Sequence, residues 1–136
     1  MTLPLGFSSM RQVIIHYKAN AKRRGYDFNL TEEQFKEMTQ KDCYYCGAKP
    51  NQFFKQKYHN NYRKFNGDFI YNGLDRIDSN KGYTIDNIVP CCSICNYAKH
   101  NLTLQEFQDW IEKVYNKMFK EKYDAELGKL LYYEGD

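Results

Sequence analysis

The residues best equipped for chemistry are cysteines. Five occur in the chain, four of them as two Cys-x-x-Cys pairs: Cys43-Tyr44-Tyr45-Cys46-Gly47 and Cys92-Ser93-Ile94-Cys95-Asn96. Thiolates in two such pairs suit tetrahedral Zn²⁺, so Cys43, Cys46, Cys92 and Cys95 are expected to hold a structural zinc. The fifth, Cys91, is expected to pack beside them. The intervening segment is longer than a minimal zinc ribbon needs, so the metal would clamp an inserted structure. Structural zinc contributes ~10–16 kcal/mol of apparent folding free energy, comparable with the whole stability of a domain. Buried free thiols or a redox pair are the alternative. Inside the insertion lie Asp75-Arg76-Ile77-Asp78, Gly82-Tyr83-Thr84 and Asp86-Asn87, and Asp75 precedes Asn96 by 21 residues.

The elements that must position these groups follow from patterning. Val13, Ile14, Tyr17 and Ala21 recur at helical spacing, which predicts a helix over 10–24 capped by Ser8 or Ser9 and stopped at Gly25. Thr31 opens a second short helix with Phe35 and Met38 on one face and Glu32 and Glu33 in its first turn. A tight knuckle is expected over 43–47 and a loop or irregular hairpin over 51–66. A strand over 68–78, a turn over 78–82 and a strand over 87–90 lead into a helix carrying Cys95 and ending near His100. Thr103 and Glu106 form a capping-box pattern for a last helix, with Leu104, Phe107, Trp110, Ile111, Val114 and Met118 as its buried stripe. The tail beyond Lys122 is expected to be peripheral. Strand, turn, strand, helix, with an acid on the first strand and an amide on the helix, makes a compact metal-binding hairpin.

At 136 residues the chain is expected to be one domain. Its formal charge is +3, unevenly spread: residues 1–64 hold twelve Lys/Arg against five Asp/Glu, and residues 65–136 eight against twelve. Lys18, Lys22, Arg23 and Arg24 form one basic patch. A second interleaves charge with rings (Phe53, Phe54, Lys55, Lys57, Tyr58, Tyr62, Arg63, Lys64, Phe65), a mixture that suits phosphate contact with stacking. No stretch reaches the ~18 apolar residues of a membrane span, and the first ten residues lack a signal-peptide profile. A soluble protein of a reducing, cytoplasmic compartment is expected, with no membrane partner.

The stretch from Cys43 to about Leu104 resembles the zinc-bearing HNH (ββα-metal, His-Me finger) endonucleases. The likeness rests on C-x-x-C-G at Cys43, G-L-D-R-I-D-S at Gly73–Ser79, Gly82-Tyr83, Asn87, and C-x-x-C-N-x-x-K from Cys92 to Lys99. Tyr17, Ala21, Arg24-Gly25, Phe28 and Leu30-Thr31 also resemble the leader of small phage and restriction members. The resemblance implies an α+β ββα-metal (HNH) finger stabilised by a four-cysteine zinc site and flanked by N- and C-terminal helices. Its divisions would be a helical basic leader (1–42), a zinc-bound core (43–102), and a C-terminal helix and tail (103–136).

By the same resemblance Asp75 and Asn96 would be the protein ligands of one catalytic Mg²⁺ or Mn²⁺, and Asn87 would pin the hairpin loop by backbone hydrogen bonds. Arg76 stands where most of the family has the histidine that activates water. Arginine stays protonated near neutral pH and cannot take a proton. Either the fold is kept for binding alone, or Arg76 grips phosphate and another residue is the base. Asp-Arg recurs in a branch that includes rare-cutting restriction enzymes, where a tyrosine is thought to replace the histidine. Tyr45, its phenol made more acidic by metal or by Arg76, is the first candidate. Tyr83 is the second, and His100 is a further base or metal ligand. The implied activity is hydrolysis of DNA phosphodiesters, of phage, homing or restriction type. One site cuts one strand, so a double-strand break would require a homodimer or successive nicks. The competing readings are a catalytically inactive zinc-containing nucleic-acid-binding module and a structural zinc-ribbon adaptor.

Overall fold

A computed structural model of the chain describes residues 4–54, 67–120 and 124–127. They fall into two compact units, 1–101 and 102–136. The order of elements in the first is α1 (Phe7–Arg24), α2 (Glu32–Thr39), β1 (Gln52–Phe54), β2 (Phe69–Tyr71), β3 (Gly73–Arg76), β4 (Ile88–Cys91) and α3 (Ser93–Lys99).

α1 begins earlier than its serines suggest. Gly6 is its N-cap, because the Ser9 hydroxyl is drawn away to donate to the Gly67 carbonyl at 2.7 Å. Gly25 ends the helix at φ 77°, a left-handed conformation that glycine adopts without a Cβ penalty. α2 carries a full capping box: Thr31 Oγ1 accepts from the Gln34 amide, and the Gln34 side chain accepts from the Thr31 amide. Met10, Val13, Ile14 and Ala21 of α1 meet Phe35 of α2 and Leu74 and Ile88 of the finger in one core. Tyr17 reaches through that core to accept the Leu74 amide at 3.1 Å, which fixes the strand carrying Asp75.

The strand expected over 68–78 is two strands in two sheets. β2 pairs antiparallel with β1, and β3 pairs antiparallel with β4, Asp75 lying opposite Val89 and Arg76 opposite Ile88. Asn72 makes the break. Its amide nitrogen donates to the Lys41 and Ala48 carbonyls and its backbone N–H to Thr39, so the chain leaves one ladder before it enters the next. Part of the segment expected as loop or irregular hairpin is therefore the ordered strand β1. The remainder, with Lys55, Lys57, Arg63 and Lys64, lies outside the described residues.

The leader is stitched to the β3–β4 loop. Phe28 and Tyr83 form a parallel bridge, the Tyr83 amide donates to Asp27 and the Asn29 amide to Tyr83. A Cβ on Gly82 would stand 2.5 Å from the Asp27 carbonyl oxygen, so only glycine fits there.

The second unit holds α4 (Leu104–Tyr115), extended by a π-helical turn Asn116–Lys120. Thr103 caps α4 by accepting the Glu106 amide. Of the expected buried stripe only Phe107 is buried, while Trp110, Ile111 and Met118 are exposed. Among the described residues of that unit, α4, its extension and the short helical segment 124–127 leave that stripe largely uncovered.

Candidate active site

The first Cys-x-x-Cys is a knuckle closed by its own backbone. The Gly47 amide donates to Cys43 with Gly47 at φ 76°, the Cys43 amide donates to Ala48, and the Tyr44 amide reaches Pro90 on β4. That last bond sets the knuckle beside the second pair, where Cys92 Sγ caps α3 by accepting the Cys95 amide. All four sulfurs lie within 4.8 Å of one another, and Cys46 and Cys92 are 3.6 Å apart. A tetrahedron with Zn–S bonds of about 2.3 Å has edges of about 3.8 Å. The four sulfurs therefore fit a zinc ion in spacing and in softness.

Their acidities point the same way. Burial opposes ionisation of Cys43, but hydrogen bonds from the backbone of Cys92, Cys46 and Tyr45 draw its thiol down to about 6. Burial and the neighbouring sulfurs push Cys95 well up. One thiolate thus forms readily and makes the next harder to form, a conflict that a bound cation removes. Cys91 is wholly buried, its thiol pushed up chiefly by burial, and it stands outside the set of four.

One residue beyond the second pair, Asn96 is exposed on α3, and it lines a cleft of about 460 Å³ with Asp75, Arg76, Tyr83, His100, Arg24 and Tyr17. The cleft brings together an acid from β3 and an amide from α3, both hard oxygen donors suited to Mg²⁺ or Mn²⁺. Asp75 is not idle there. Its Oδ2 accepts the Tyr45 hydroxyl at 2.5 Å and lies 3.1 Å from Lys99 Nζ, which also approaches Oδ1 at 3.4 Å.

Arg76 does not supply the acidification of Tyr45 expected from it. Burial and then the bond to Asp75 push the Tyr45 pKa well above the usual tyrosine range, so the phenol is a proton donor in this state. Arg76 is buried, and its Nη1 donates to the Ser79 and Lys81 carbonyls at 2.7 and 2.8 Å. Its guanidinium carbon sits 3.8 Å above the Tyr26 ring and 5.5 Å from that of Tyr83. It braces the hairpin turn and does not acidify Tyr45.

Tyr83 is likewise a packing residue, its ring edge-on to Tyr17 and tilted against Phe28. Asn87 ties the loop: its Oδ1 accepts the Asp78 amide and its Nδ2 donates to Asp78 and Gly82. His100 lies just past the end of α3 at φ 48°, the sole positive-φ residue other than glycine among the described residues, and is exposed at the cleft rim. Arg23 and Arg24 border a second cleft with His16, Asn20, Phe54 and Tyr71, which shares Tyr17, Arg24 and Tyr83 with the first. Lys18 and Lys22 are exposed on α1, and Lys18 approaches the Phe28 ring.

The contact that sequence reasoning missed is Lys99. Its signal was the N-x-x-K spacing, which sets a cation one helical turn past Asn96. No helix among the described residues is long and apolar enough to cross a membrane.

No family model matches the chain. It is 36% identical over 93 residues to an uncharacterized protein of Acanthamoeba polyphaga mimivirus, a match that takes in 68% of this chain but only 14% of that protein's length. In three dimensions it is similar to the rare-cutting HNH restriction endonuclease PacI, with a TM-score of 0.52 and 23% identity over 83% of this chain and 80% of that one. The chain therefore has an HNH-like α+β fold, with four cysteines placed where they could hold a zinc ion.

Proposed function

We propose that this protein is a zinc-stabilised, divalent-metal-dependent DNA endonuclease of the HNH type, in its Asp-Arg branch. The observation that carries the reading is the convergence of Asp75 and Asn96 on one cleft beside the four-cysteine cluster. Asp75 and Asn96 would hold one Mg²⁺ or Mn²⁺, leaving coordination positions for water and a scissile phosphate. When bound, the ion supplies Lewis-acid stabilisation of developing charge on the phosphate and the leaving oxygen. Around it, Tyr17 and the β3–β4 ladder hold Asp75 in register, and Asn87 and Arg76 hold the loop.

Two side chains can take the proton from water. His100 offers an exposed imidazole at the rim without rearrangement. Tyr45 can do so only once its own proton has left the bond to Asp75. Nicking lost in His100→Ala and kept in Tyr45→Phe assigns the base to His100, and the reverse pattern assigns it to Tyr45.

Arg23 and Arg24, with the cleft between α1 and the first hairpin, would guide the DNA backbone toward the site, helped by Lys18 and Lys22. Lys55, Lys57, Arg63 and Lys64 would add phosphate contacts. One such site cuts one strand, so a double-strand break calls for two copies or two nicks. The similarity to a viral protein favours a viral or mobile-element setting inside a host cell.

Supercoiled plasmid with Mg²⁺ or Mn²⁺ tests the reading. Wild type should relax it and Asp75→Ala should not; equal inertness of the two across several DNA substrates sinks the enzyme. The occupied state of Asp75, held by both Tyr45 and Lys99, favours a second reading: a nucleic-acid-binding module without catalysis. Metal-independent DNA binding without nicking would select it.

A further inference from the structure

Lys99 is wholly buried at the end of α3, and its ammonium lies 3.1 Å from Asp75 Oδ2, 3.4 Å from Oδ1 and 3.4 Å from the Arg76 carbonyl. A lysine is almost never fully buried unless paired, and here the partner is the carboxylate expected to hold the ion. Asp75 is also the sole carboxylate lining the cleft among the described residues, whereas Arg24 and Arg76 both line it. The single negative charge is therefore neutralised from behind before any cation arrives, in surroundings that already carry two guanidinium groups. A divalent ion at Asp75 meets a close like charge, and at low dielectric that repulsion is strong. What the cleft lacks is a second anion, and a backbone phosphodiester supplies one.

We propose that Lys99 makes divalent-ion loading conditional on a bound phosphodiester, so that ion and nucleic-acid backbone enter the cleft together. The inference rests on the metal-centre reading above. Linkage requires each of the two ligands to raise the affinity of the other by the same factor. The unliganded protein then holds its scissile centre discharged, and free Mn²⁺ or Mg²⁺ does not accumulate there.

Mn²⁺ binding to the zinc-loaded protein, followed by electron paramagnetic resonance of the free ion, tests this without reference to turnover. The probe is a short DNA duplex of mixed sequence, with Asp75→Ala in the same duplex as background. Wild type should bind Mn²⁺ at least about tenfold more tightly with the duplex than without it. In Lys99→Gln, which keeps a hydrogen-bond donor, and in Lys99→Met, duplex-free affinity should rise by about tenfold or more and the duplex dependence should shrink. A gain in affinity cannot come from a site merely loosened by the substitution.

Equal Mn²⁺ affinity of wild type with and without duplex overturns the inference, as does a folded Lys99→Gln that binds no more tightly than wild type. Where neither variant folds, equal wild-type affinity with and without duplex still overturns the inference. Plasmid nicking that depends on Asp75 but shows no such coupling sinks this inference and leaves the nuclease standing. Mn²⁺ binding that never depends on Asp75 removes the metal centre and the inference with it.

Discussion

Replacing Arg76 by histidine should destabilise the protein, although histidine stands at that place in most of the endonucleases its motif resembles. The guanidinium makes two charge-assisted bonds, to the carbonyls of Ser79 and Lys81 at 2.7 and 2.8 Å, and lies 3.8 Å from the Tyr26 ring centroid. Hydrogen bonds of this kind contribute about 1.5–3 kcal/mol each, and a largely desolvated cation–π contact about 1–2 kcal/mol. An imidazole is too short to reach both carbonyls. The substitution leaves them partly unsatisfied in a turn where Arg76 itself is only 7% exposed. Allowing for non-additivity, the expected loss is about 3–5 kcal/mol. With a urea slope of about 1–1.5 kcal/mol per molar, the midpoint should fall by about 2–5 M. Zinc-loaded wild type and Arg76→His, unfolded in urea and followed by circular dichroism, provide the measurement. A midpoint within about 0.5 M of wild type would refute the bracing role and return Arg76 to the status of a free phosphate ligand.

Other consequences can be checked on the same protein. A strong chelator, or Cys43→Ser, should unfold the first unit, since metal binding to four thiolates contributes about as much as the stability of a domain; unchanged circular dichroism with zinc removed would contradict this. Asn87→Ala removes three hydrogen bonds from the β3–β4 loop and should cost about 2–3 kcal/mol, read as a lower urea midpoint. Burial is the first cause pushing the phenols of Tyr17, Tyr45 and Tyr71 above their ordinary value. A raised folded pKa gives stability that is intact below the unfolded value near ~10 and declines above it. Tyrosinate absorbance on an alkaline titration should therefore show these rings ionising only as the fold is lost, and a single smooth titration of every tyrosine at constant ellipticity would count against it.

Much of the finger was legible because its signals are local. The Cys-x-x-Cys spacings, the glycine of the first knuckle and the Thr31 start of α2 each lie within a few residues of chain. What stayed hidden depends on long-range approach. Arg76 looked like a phosphate grip because the linear motif sets it in the place of a histidine, yet its contacts are set by which carbonyls and rings stand within reach. Tyr45 looked acidified because an arginine is adjacent to Asp75 in sequence, but that side chain turns to the loop while the phenol meets the carboxylate. Lys99 was visible only as a spacing. Its importance comes from Asp75, 24 residues earlier in the chain. The stripe on α4 was legible as a pattern but not as a burial, since periodicity reports a face and not what covers it.

The bridge from Phe28 to Tyr83 bears on where this piece of protein can be cut and rejoined. A fragment starting at the first knuckle would keep every cysteine, Asp75 and Asn96. It would lose the ring under Arg76, the hydroxyl beneath Leu74 and the Asp27 backbone against which Gly82 closes. Such a fragment could gather zinc and still present a loop with nothing to hold its shape. The portable cassette is then the leader and finger together, and recombination that trades one without the other should leave few functional offspring.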